Sequence, residues 1–319
     1  MKLLVTGGAG FIGSNFVRRV IDNPKYAKIT VLDSLTYAGN LTNLASISKS
    51  QKYVFKQGDI CNLEIVSEVT NDIDVIINFA AESHVDRSIS NPQQFLNTNV
   101  LGTQTLLDAA LKNKVPRFIQ ISTDEVYGSI NEGSWTEDWP LSPNSPYSAS
   151  KASADLLALS YYKTFGLNVS ITRCSNNYGS YQFPEKIIPL FVTNLLRNKK
   201  LPLYGTGNNI RDWIHVDDHC SGIEKTIDHG KPGEIYNFGG GNEITNLELA
   251  RTILDYFKLD SDKIEYVQDR KGHDYRYSVS FEKSAAELGW KPNVNFQEGI
   301  FETIEWYKNN SNWWGSLIN

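Results

Sequence analysis

The chain has 319 residues, of which 40% are hydrophobic and 21% are charged, and its formal net charge at pH 7 is −5. This length and composition allow a large core in one domain or in two smaller ones, and they exclude a disordered chain. The acidic balance, without a long Lys/Arg run, excludes the electrostatic footprint of a protein that binds nucleic acid or an anionic membrane surface.

Cysteine usage and the first residues of the chain indicate its compartment. The chain has three cysteines, Cys61, Cys174 and Cys220. Their odd number, their wide separation and the lack of metal-ligand spacing predict a reduced compartment and no metal site. Residues 1–5 lead straight into a glycine motif, so we expect no signal peptide, and no run of about 18 apolar residues is present to span a membrane. We therefore expect a cytoplasmic protein without a membrane partner.

Short apolar, β-branched runs alternate with helix-length segments through the first half of the chain. The runs are residues 3–6, 29–32, 53–56, 75–78, 118–122 and 169–173. Strands that are apolar throughout, rather than at every second residue, are typical of a parallel sheet covered by helices on both faces. The sequence therefore predicts an α/β fold with a Rossmann-type, doubly wound parallel sheet.

After about residue 175 the chain changes to connections rich in proline, glycine and aromatic residues between shorter helical stretches. The run 234–238 predicts a strand that returns to the sheet, and residues 296–307 have the apolar spacing of an amphipathic helix. We therefore predict two interleaved units. They are a Rossmann domain of residues 1–175, to which 212–239 return, and a smaller C-terminal lobe of residues 176–211 and 240–319.

A glycine motif follows the first apolar run and fits both G-x-G-x-x-G and G-x-x-G-x-x-G. Its members are Gly7, Gly8, Gly10 and Gly13. Such glycines let the backbone approach a pyrophosphate at the N-terminus of the helix that starts near Phe11. Asp33 ends the second run, where a carboxylate accepts hydrogen bonds from ribose hydroxyls and repels a 2′-phosphate. The first domain is therefore predicted to bind NAD rather than NADP.

Tyr147 and Lys151 are four residues apart on a segment that Pro146 can start as a helix, so both side chains share one helix face. A cation about 4 Å from the phenol, at an effective dielectric constant near 20, is worth about 4 kcal/mol, or about three pKa units. With help from a positive nicotinamide ring, Lys151 is expected to bring the pKa of Tyr147 near neutrality. Tyr147 can then remove a proton from a sugar hydroxyl as hydride leaves the same carbon.

A hydroxyl and two carboxylates follow the strand predicted at residues 118–122. Thr123 stands at the carboxyl end of this strand, where open α/β sheets bind ligands. Asp124 and Glu125 repel each other in a partly desolvated cleft, so one pKa rises and the pair can supply one acid and one base. Adjacent carboxylates beside a redox tyrosine indicate elimination of water.

The residues resemble the extended short-chain dehydrogenase/reductase family, and within it the nucleotide-sugar 4,6-dehydratases that act on dTDP-glucose. The resemblance covers nearly the whole chain and includes residues 80–88, 122–128, 173–179, 184–186, 202–205, 211–213 and 272–274. It implies an NAD-dependent hydro-lyase whose product is dTDP-4-keto-6-deoxy-glucose, used in deoxysugar synthesis such as that of dTDP-rhamnose. NAD would stay tightly bound and be regenerated in every turnover.

The family chemistry gives each reacting residue a role. Tyr147, supported by Lys151, would deprotonate the C4 hydroxyl while the C4 hydride passes to NAD. Glu125 would take the C5 proton, Asp124 would protonate the departing C6 hydroxyl, and the hydride would return to C6. Thr123 would hydrogen-bond the C4 oxygen.

The resemblance also assigns binding roles by position. Residues that match cofactor contacts are Gly7, Gly10, Phe11, Ile12, Gly13, Asp33, Asp59, Ile60, Ala80, Ala81, Thr98, Tyr147, Lys151 and Asn177. Residues that match contacts to the sugar nucleotide are Ser83, Thr123, Asn176, Lys186, Pro202, Tyr204, Arg211, Asn242 and His273. Arg211 is expected to bind the diphosphate, because a guanidinium engages two oxygens at once. The family further implies a homodimer with a four-helix interface formed by residues 93–113 and 145–166.

Other functions share parts of this pattern. A nucleotide-sugar 4-epimerase has the same fold, cofactor and Tyr/Lys pair, but it needs no C5 base or C6 acid, so Asp124 and Glu125 discriminate against it. A dehydratase acting on a UDP- or CDP-sugar stays open, because Thr206, Lys271 and Tyr275 depart from the usual family residues. A UDP-glucuronate decarboxylase and a noncatalytic protein that kept the fold are the remaining alternatives.

Overall fold

The computed structural model describes residues 1–318. Its strands are β1 (Lys2–Thr6), β2 (Lys28–Asp33), β3 (Tyr53–Gln57), β4 (Val75–Asn78), β5 (Arg117–Thr123), β6 (Val169–Cys174), β7 (Asn176–Tyr178), β8 (Leu201–Tyr204), β9 (Ile210–His215), β10 (Ile235–Phe238), β11 (Glu243–Thr245) and β12 (Ile264–Val267).

The α-helices alternate with these strands in the first half of the chain. They are α1 (Phe11–Val20), α2 (Leu63–Val69), α3 (Val85–Ser90), α4 (Pro92–Phe95), α5 (Thr103–Lys112), α6 (Pro146–Phe165), α7 (Ile187–Leu196), α8 (Val216–His229), α9 (Asn246–Phe257), α10 (Glu282–Leu288), α11 (Phe296–Asn309) and α12 (Ser311–Gly315). A π-helical stretch, Leu96–Gly102, joins α4 to α5, and 3₁₀ turns cover Leu41–Ile47, Asp124–Tyr127 and Ser261–Lys263.

The main sheet of the described residues has seven parallel strands in the order β10-β6-β5-β4-β1-β2-β3. Alternate residues of β1 enter different cores because successive side chains point to opposite faces. Leu3 and Val5 pack with α1 and α8, whereas Leu4 packs with α2, α5 and α6. The predicted Rossmann-type, doubly wound α/β fold is confirmed.

The later part of the chain builds a smaller set of sheets. In this part β9 pairs with β7 and β11, and β8 pairs with β12. Their core combines apolar side chains of α7, α9 and α11. The run that ends before Gly239 joins the main sheet as β10, beside β6. The division into two interleaved units at the residues given above stays a prediction.

The topology places the carboxyl ends of β1, β2, β4, β5 and β6 along one edge of the main sheet. In an open parallel sheet this edge is where ligands bind, at the point where the strand order reverses. Across residues 1–318, no helix combines the length and apolarity that a bilayer crossing requires.

Candidate active site

A cavity of about 930 Å³ lies along the carboxyl edge of the main sheet. Every residue predicted to contact the cofactor lines it. These residues are Gly7, Gly10, Phe11, Ile12, Gly13, Asp33, Asp59, Ile60, Ala80, Ala81, Thr98, Tyr147, Lys151 and Asn177. The structure therefore brings together groups that come from five strand ends, from α1 and α6, and from the π-helical stretch that contains Thr98.

The glycine turn between β1 and α1 leaves no room for side chains. Gly7 has a φ of +67°, and a Cβ on it would lie 2.6 Å from the backbone nitrogen of Ala80. A Cβ on Gly13 would lie 2.4 Å from the carbonyl oxygen of Gly7. Gly10 caps α1 without a side-chain hydrogen bond, so the first N–H groups of the helix are free for an anion.

Asp33 ends β2 beside this turn. Its carboxylate accepts hydrogen bonds from the backbone N–H groups of Ala9 and Leu35, each at 2.9 Å. Burial raises its pKa, and the two hydrogen bonds act in the opposite direction. A fixed carboxylate at this place suits ribose hydroxyls and opposes a 2′-phosphate. Together with the glycine turn, it makes the cavity fit NAD.

A second cavity, of about 170 Å³, continues the first toward the smaller sheets. Ser83, Asn176 and Lys186 line both cavities. The other predicted sugar-nucleotide residues that line the second cavity are Pro202, Tyr204, Arg211 and His273.

Asn242 lies outside both cavities. Its side-chain amide donates to the carbonyl oxygen of Gly240 at 2.7 Å, and its backbone N–H donates to Asp212 at 2.8 Å. The structure therefore does not bring Asn242 to the predicted site, because the residue holds the turn after β10.

Two cations line the second cavity, and one of them, Lys186, lines the first cavity as well. The guanidinium group of Arg211 donates to the carbonyl oxygens of Asp274 at 2.9 Å and Ile210 at 2.7 Å, and its carbon lies 4.2 Å from the centre of the Tyr277 ring. The ammonium group of Lys186 donates to the carbonyl oxygen of Ser83 at 2.9 Å, and burial lowers its pKa. Held in this way, both side chains suit the recognition of an anionic group.

Arg270 is a cavity-lining residue that the sequence analysis missed. It forms an ion pair with Asp86, with nitrogen–oxygen distances of 2.6 and 2.9 Å. This ion pair joins the loop before His273 to α3. The sequence signal for Arg270 was its position two residues before the family-like segment 272–274.

The residues predicted to react lie together because α6 packs on β5, which ends at Thr123. The hydroxyl of Thr123 donates to Oδ1 of Asp124 at 3.3 Å and accepts from the N–H of Glu125 at 3.3 Å. Tyr147 enters the same place from the first turn of α6. A capping box of Ser145 and Ser148 fixes the start of that helix.

The two adjacent carboxylates have different surroundings. Asp124 is 2% exposed, and its Oδ2 has no hydrogen-bond partner among residues 1–318. Burial, followed by the charge of Glu125, raises the pKa of Asp124 well above its usual value. Burial also raises the pKa of Glu125, but Lys186 and Arg211 act to lower it. Asp124 therefore suits the role of the acid and Glu125 that of the base.

Burial is the main influence on the pKa of Tyr147. Burial raises the pKa of this phenol well above its usual value, the charge of Glu125 adds to the effect, and a hydrogen bond with Thr123 opposes it. The ammonium group of Lys151 donates to the carbonyl oxygen of Ile121 at 2.6 Å, and burial lowers its own pKa. The expectation that Lys151, with help from a positive nicotinamide ring, brings the pKa of Tyr147 near neutrality stays a prediction, because that ring is part of its premise.

A buried ion pair behind Lys151 was also missed by the sequence analysis. Asp155 lies one helical turn after Lys151 and accepts hydrogen bonds from Arg173 at 2.9 Å and from Ser122 at 3.0 Å. Arg173 also donates to the hydroxyl of Tyr127 at 2.8 Å. The i+4 spacing of Asp155 after Lys151 was a sequence signal that both side chains share one face of α6. Its partner Arg173 lies on β6, which this spacing does not reveal.

Residues 4–303 match the model of the GDP-mannose 4,6 dehydratase family. The chain belongs to this family. Two relatives are called dTDP-glucose 4,6-dehydratases: one from Streptomyces antibioticus is 54% identical over 99% of this chain and 95% of that protein, and one from Escherichia coli K12 is 46% identical over 98% and 94%. A third, the low-salt glycan biosynthesis protein Agl12 of Haloferax volcanii, is 51% identical over 96% and 98%. The resemblance found in the motifs is confirmed.

Two solved structures are similar to this chain over nearly its whole length. The dTDP-glucose 4,6-dehydratase DesIV of Streptomyces venezuelae, with NAD and dTDP bound, is 54% identical, with a TM-score of 0.98 over 99% of this chain and all of that one. A UDP-glucose 4-epimerase of Thermotoga maritima, with UDP-glucose, is 29% identical, with a TM-score of 0.90 over 98% of this chain and all of that one. The epimerase shares the fold, whereas the dehydratase also shares more than half of the sequence.

Proposed function

We propose that this protein is an NAD-dependent dTDP-glucose 4,6-dehydratase, which converts dTDP-glucose to dTDP-4-keto-6-deoxy-glucose and water. The observation that carries the proposal is the pair Asp124 and Glu125. Asp124 is buried and Glu125 is half-buried beside Thr123 and Tyr147, and both have raised pKa values with unequal opposing charges. The similarity to curated dTDP-glucose 4,6-dehydratases supports the same reading.

The first step oxidises C4 of the glucose unit. Tyr147 accepts the proton of the C4 hydroxyl, and Thr123 holds the C4 oxygen by a hydrogen bond. Lys151, fixed on the carbonyl oxygen of Ile121, supplies positive charge near the phenol. NAD, when bound on the glycine turn and Asp33, supplies the acceptor for the C4 hydride.

The second step removes water across C5 and C6. Oxidation at C4 makes the C5 proton acidic, and Glu125, which Lys186 and Arg211 favour in the charged form, accepts it. Asp124 donates a proton from its unpartnered Oδ2 side to the C6 hydroxyl, which leaves as water. Glu125 then returns its proton to C5 as hydride arrives at C6.

Substrate recognition is proposed to use the second cavity. Arg211 and Lys186 would meet the diphosphate, and Pro202 and Tyr204 would meet the base, with His273 beside Tyr204. The product is a precursor for deoxysugars such as dTDP-rhamnose. The cysteine usage supports a cytoplasmic location.

We further propose a homodimer through a four-helix interface made by residues 93–113 and 145–166 of each protomer. Large apolar side chains on these segments are exposed in the single chain. They are Leu96, Leu101, Leu156 and Phe165. Burying such residues against a second copy is favourable, at roughly 25 cal/mol per Å² of apolar surface.

A labelled substrate tests the proposed reaction. The purified protein, without added NAD, is incubated with dTDP-glucose that carries deuterium at C4, and the mass and label position are followed. Loss of one water with deuterium at C6 is the expected result, because the hydride returns inside one active site. A C4 epimer of unchanged mass would favour the epimerase, and no reaction even with added NAD and the UDP and CDP analogues would overturn the assignment.

A further inference from the structure

Two residues that the proposed mechanism does not use, Asn43 and Trp313, connect helix α12 to the glycine turn. The indole N–H of Trp313 donates a hydrogen bond to Oδ1 of Asn43 at 2.8 Å. The side-chain amide of Asn43 donates to the carbonyl oxygen of Ala9, in the turn between β1 and α1, at 2.9 Å. The N–H of Ala9 in turn donates to Oδ2 of Asp33 at 2.9 Å. Three consecutive hydrogen bonds therefore link α12 to the carboxylate that suits the ribose.

The partners of Asn43 fix the orientation of its amide. The indole of Trp313 offers only a donor and the carbonyl group of Ala9 only an acceptor, and an amide side chain carries one group of each kind. A flipped amide would place its NH2 group against the indole N–H and its oxygen against the carbonyl oxygen. Asn43 is 2% exposed and Ala9 is fully buried, so water has little access to replace a lost partner.

Other contacts hold Trp313 and Asn43 in place. The ring of Trp313 packs against the rings of Trp306 and Tyr181, with centres 5.0 and 5.7 Å away. The guanidinium group of Arg18, on α1, donates to the backbone carbonyl oxygen of Asn43 at 2.5 Å. The carbon of this guanidinium group lies 3.9 Å from the centre of the Tyr181 ring. An aromatic and polar cluster thus joins the last two helices of the described residues to α1.

The peptide group of Ala9 is held from both sides. Its carbonyl oxygen accepts from the side chain of Asn43 and from the backbone N–H of Asn40, the latter at 3.0 Å, while its N–H donates to Asp33. The next residue, Gly10, caps α1, whose first N–H groups are free for an anion. A displacement of the Ala9 peptide group would therefore move the anion-binding end of α1 and the ribose-binding carboxylate together.

We propose that Trp313 is a positioning residue for NAD, which acts through Asn43 to hold the glycine turn and Asp33 in the geometry that retains the cofactor. Trp313 lines neither cavity, so its effect on NAD does not come from contact. Loss of the indole N–H leaves Oδ1 of Asn43 without its donor and frees the amide to turn away from Ala9. Cofactor retention is measured without a sugar nucleotide, so the inference stands or fails independently of the proposed dehydration.

The release of NAD from matched variants tests this role. The wild type, Trp313→Phe and Trp314→Phe are saturated with NAD and diluted into alcohol dehydrogenase and ethanol, which convert released NAD to NADH. Trp314 lies on the same helix, but its indole N–H donates to the carbonyl oxygen of Tyr307 at 2.7 Å. We expect Trp313→Phe to release NAD at least about fivefold faster than the wild type, because a buried polar group loses its partner. Trp314→Phe loses a hydrogen bond too, and it should release NAD at the wild-type rate.

A double mutant shows whether Trp313 acts through Asn43. Asn43→Ala alone should release NAD faster, and the addition of Trp313→Phe should cause no further increase, because the link is already broken. Hydrogen exchange of residues 7–13 in the absence of NAD should be faster in Trp313→Phe and unchanged in Trp314→Phe. If Asn43→Ala does not fold, Asn43→Ser takes its place.

Three results would overturn the inference. One is a rate of NAD release from Trp313→Phe equal to that of the wild type. Another is an equal acceleration of NAD release in Trp313→Phe and Trp314→Phe, which would indicate a general loss of stability. The third is an independent effect of each mutation in the double mutant, which would show that Trp313 does not act through Asn43.

Discussion

At the scale of single residues, two neighbours in the chain differ because their surroundings differ. Glu125 lies near Lys186 and Arg211, which favour its charged form. Asp124 is nearly inaccessible to solvent, and burial raises its pKa. The charges of Glu125 and Asp212 raise this pKa further, whereas the charge of Arg211 acts to lower it. An acid must be protonated to act, so activity should be present below the raised pKa of Asp124 and be lost as the pH rises through it.

Replacement of Asp124 by asparagine should reduce activity and increase stability together. The amide cannot donate the proton that C6 requires, so kcat should fall by about 10² to 10⁴. The pKa of Asp124 is higher in the folded than in the unfolded protein. The free energy of unfolding therefore falls as the pH rises from the unfolded-state pKa to the folded-state pKa. Asp124→Asn avoids this loss, and its Tm should exceed that of the wild type at pH 8.

The control for this prediction uses pH and a neighbouring residue. The Tm difference should shrink as the pH falls toward the usual carboxyl range, where Asp124 is neutral in both states. Glu125→Gln should give a smaller gain in Tm at pH 8, because Lys186 and Arg211 oppose the rise in the pKa of Glu125. Calorimetry across pH provides both values, and a lower Tm for Asp124→Asn at pH 8 would contradict the burial argument.

The sequence indicated candidate reacting residues but not their protonation. Thr123, Asp124, Glu125 and Tyr147 could be selected because a strand end, an acid pair and a helix start are visible in the chain. The pKa of Tyr147 could not be predicted, since it depends on burial by distant segments. Arg270 and the Asp155–Arg173 pair were not predicted, because the partners in both ion pairs are remote in the chain.

At the scale of elements, the turn between β1 and α1 could be predicted in detail. Its glycines lie within seven residues of the sequence, and the steric reason for them is local apart from the approaches of Val31 and Ala80. The seven strands of the main sheet were predicted within about two residues because each is rich in apolar and β-branched residues, as expected for a sheet covered on both faces, whereas the short strands β7, β8, β9, β11 and β12 were not predicted. The position of Asn242 was not predictable, since its turn is fixed by Asp212 on β9.

Replacement of Gly13 by alanine should release the cofactor. A Cβ at this position would lie 2.4 Å from the carbonyl oxygen of Gly7 and 2.9 Å from the Cα of Gly8, so the turn must move. We expect loss of bound NAD and a destabilisation of about 1 to 3 kcal/mol. Gly315→Ala is the matched control, since its added Cβ would meet nothing within 4 Å. Absorbance of the released cofactor and chemical unfolding measure both effects, and normal NAD content in Gly13→Ala would refute the steric argument.

At the scale of the whole molecule, parallel strands turn local motifs into one site. The strand ends that contribute Gly7, Asp33, Thr123 and Asn176 are far apart in sequence and meet along one edge of the fold. The smaller sheets contribute Arg211 and Tyr204 to the continuing cavity. Sequence patterns predicted the main sheet, whereas the shape of the second cavity depends on contacts between β7, β9 and β11 that no local pattern encodes.

The surface of the whole molecule gives a prediction for its assembly. Leu156 on α6 is 59% exposed, and Leu101, in the π-helical stretch before α5, is 52% exposed, although other residues of both segments are buried. A charge at the centre of an apolar interface between two protomers must be desolvated without a partner, which costs several kcal/mol. We therefore expect Leu156→Glu to shift the protein from a dimer to a monomer of 35.9 kDa in analytical ultracentrifugation.

A leucine on another surface supplies the control for the dimer. Leu41, in the 3₁₀ turn Leu41–Ile47, is 43% exposed and lies outside the two proposed interface segments. Leu41→Glu should therefore remain dimeric and retain full activity under the same conditions. Because the two mutations add the same charge, a difference in mass between them isolates the helical surface from a general effect of net charge. A wild type that sediments as a monomer, or a Leu156→Glu variant that stays dimeric, would contradict the four-helix interface.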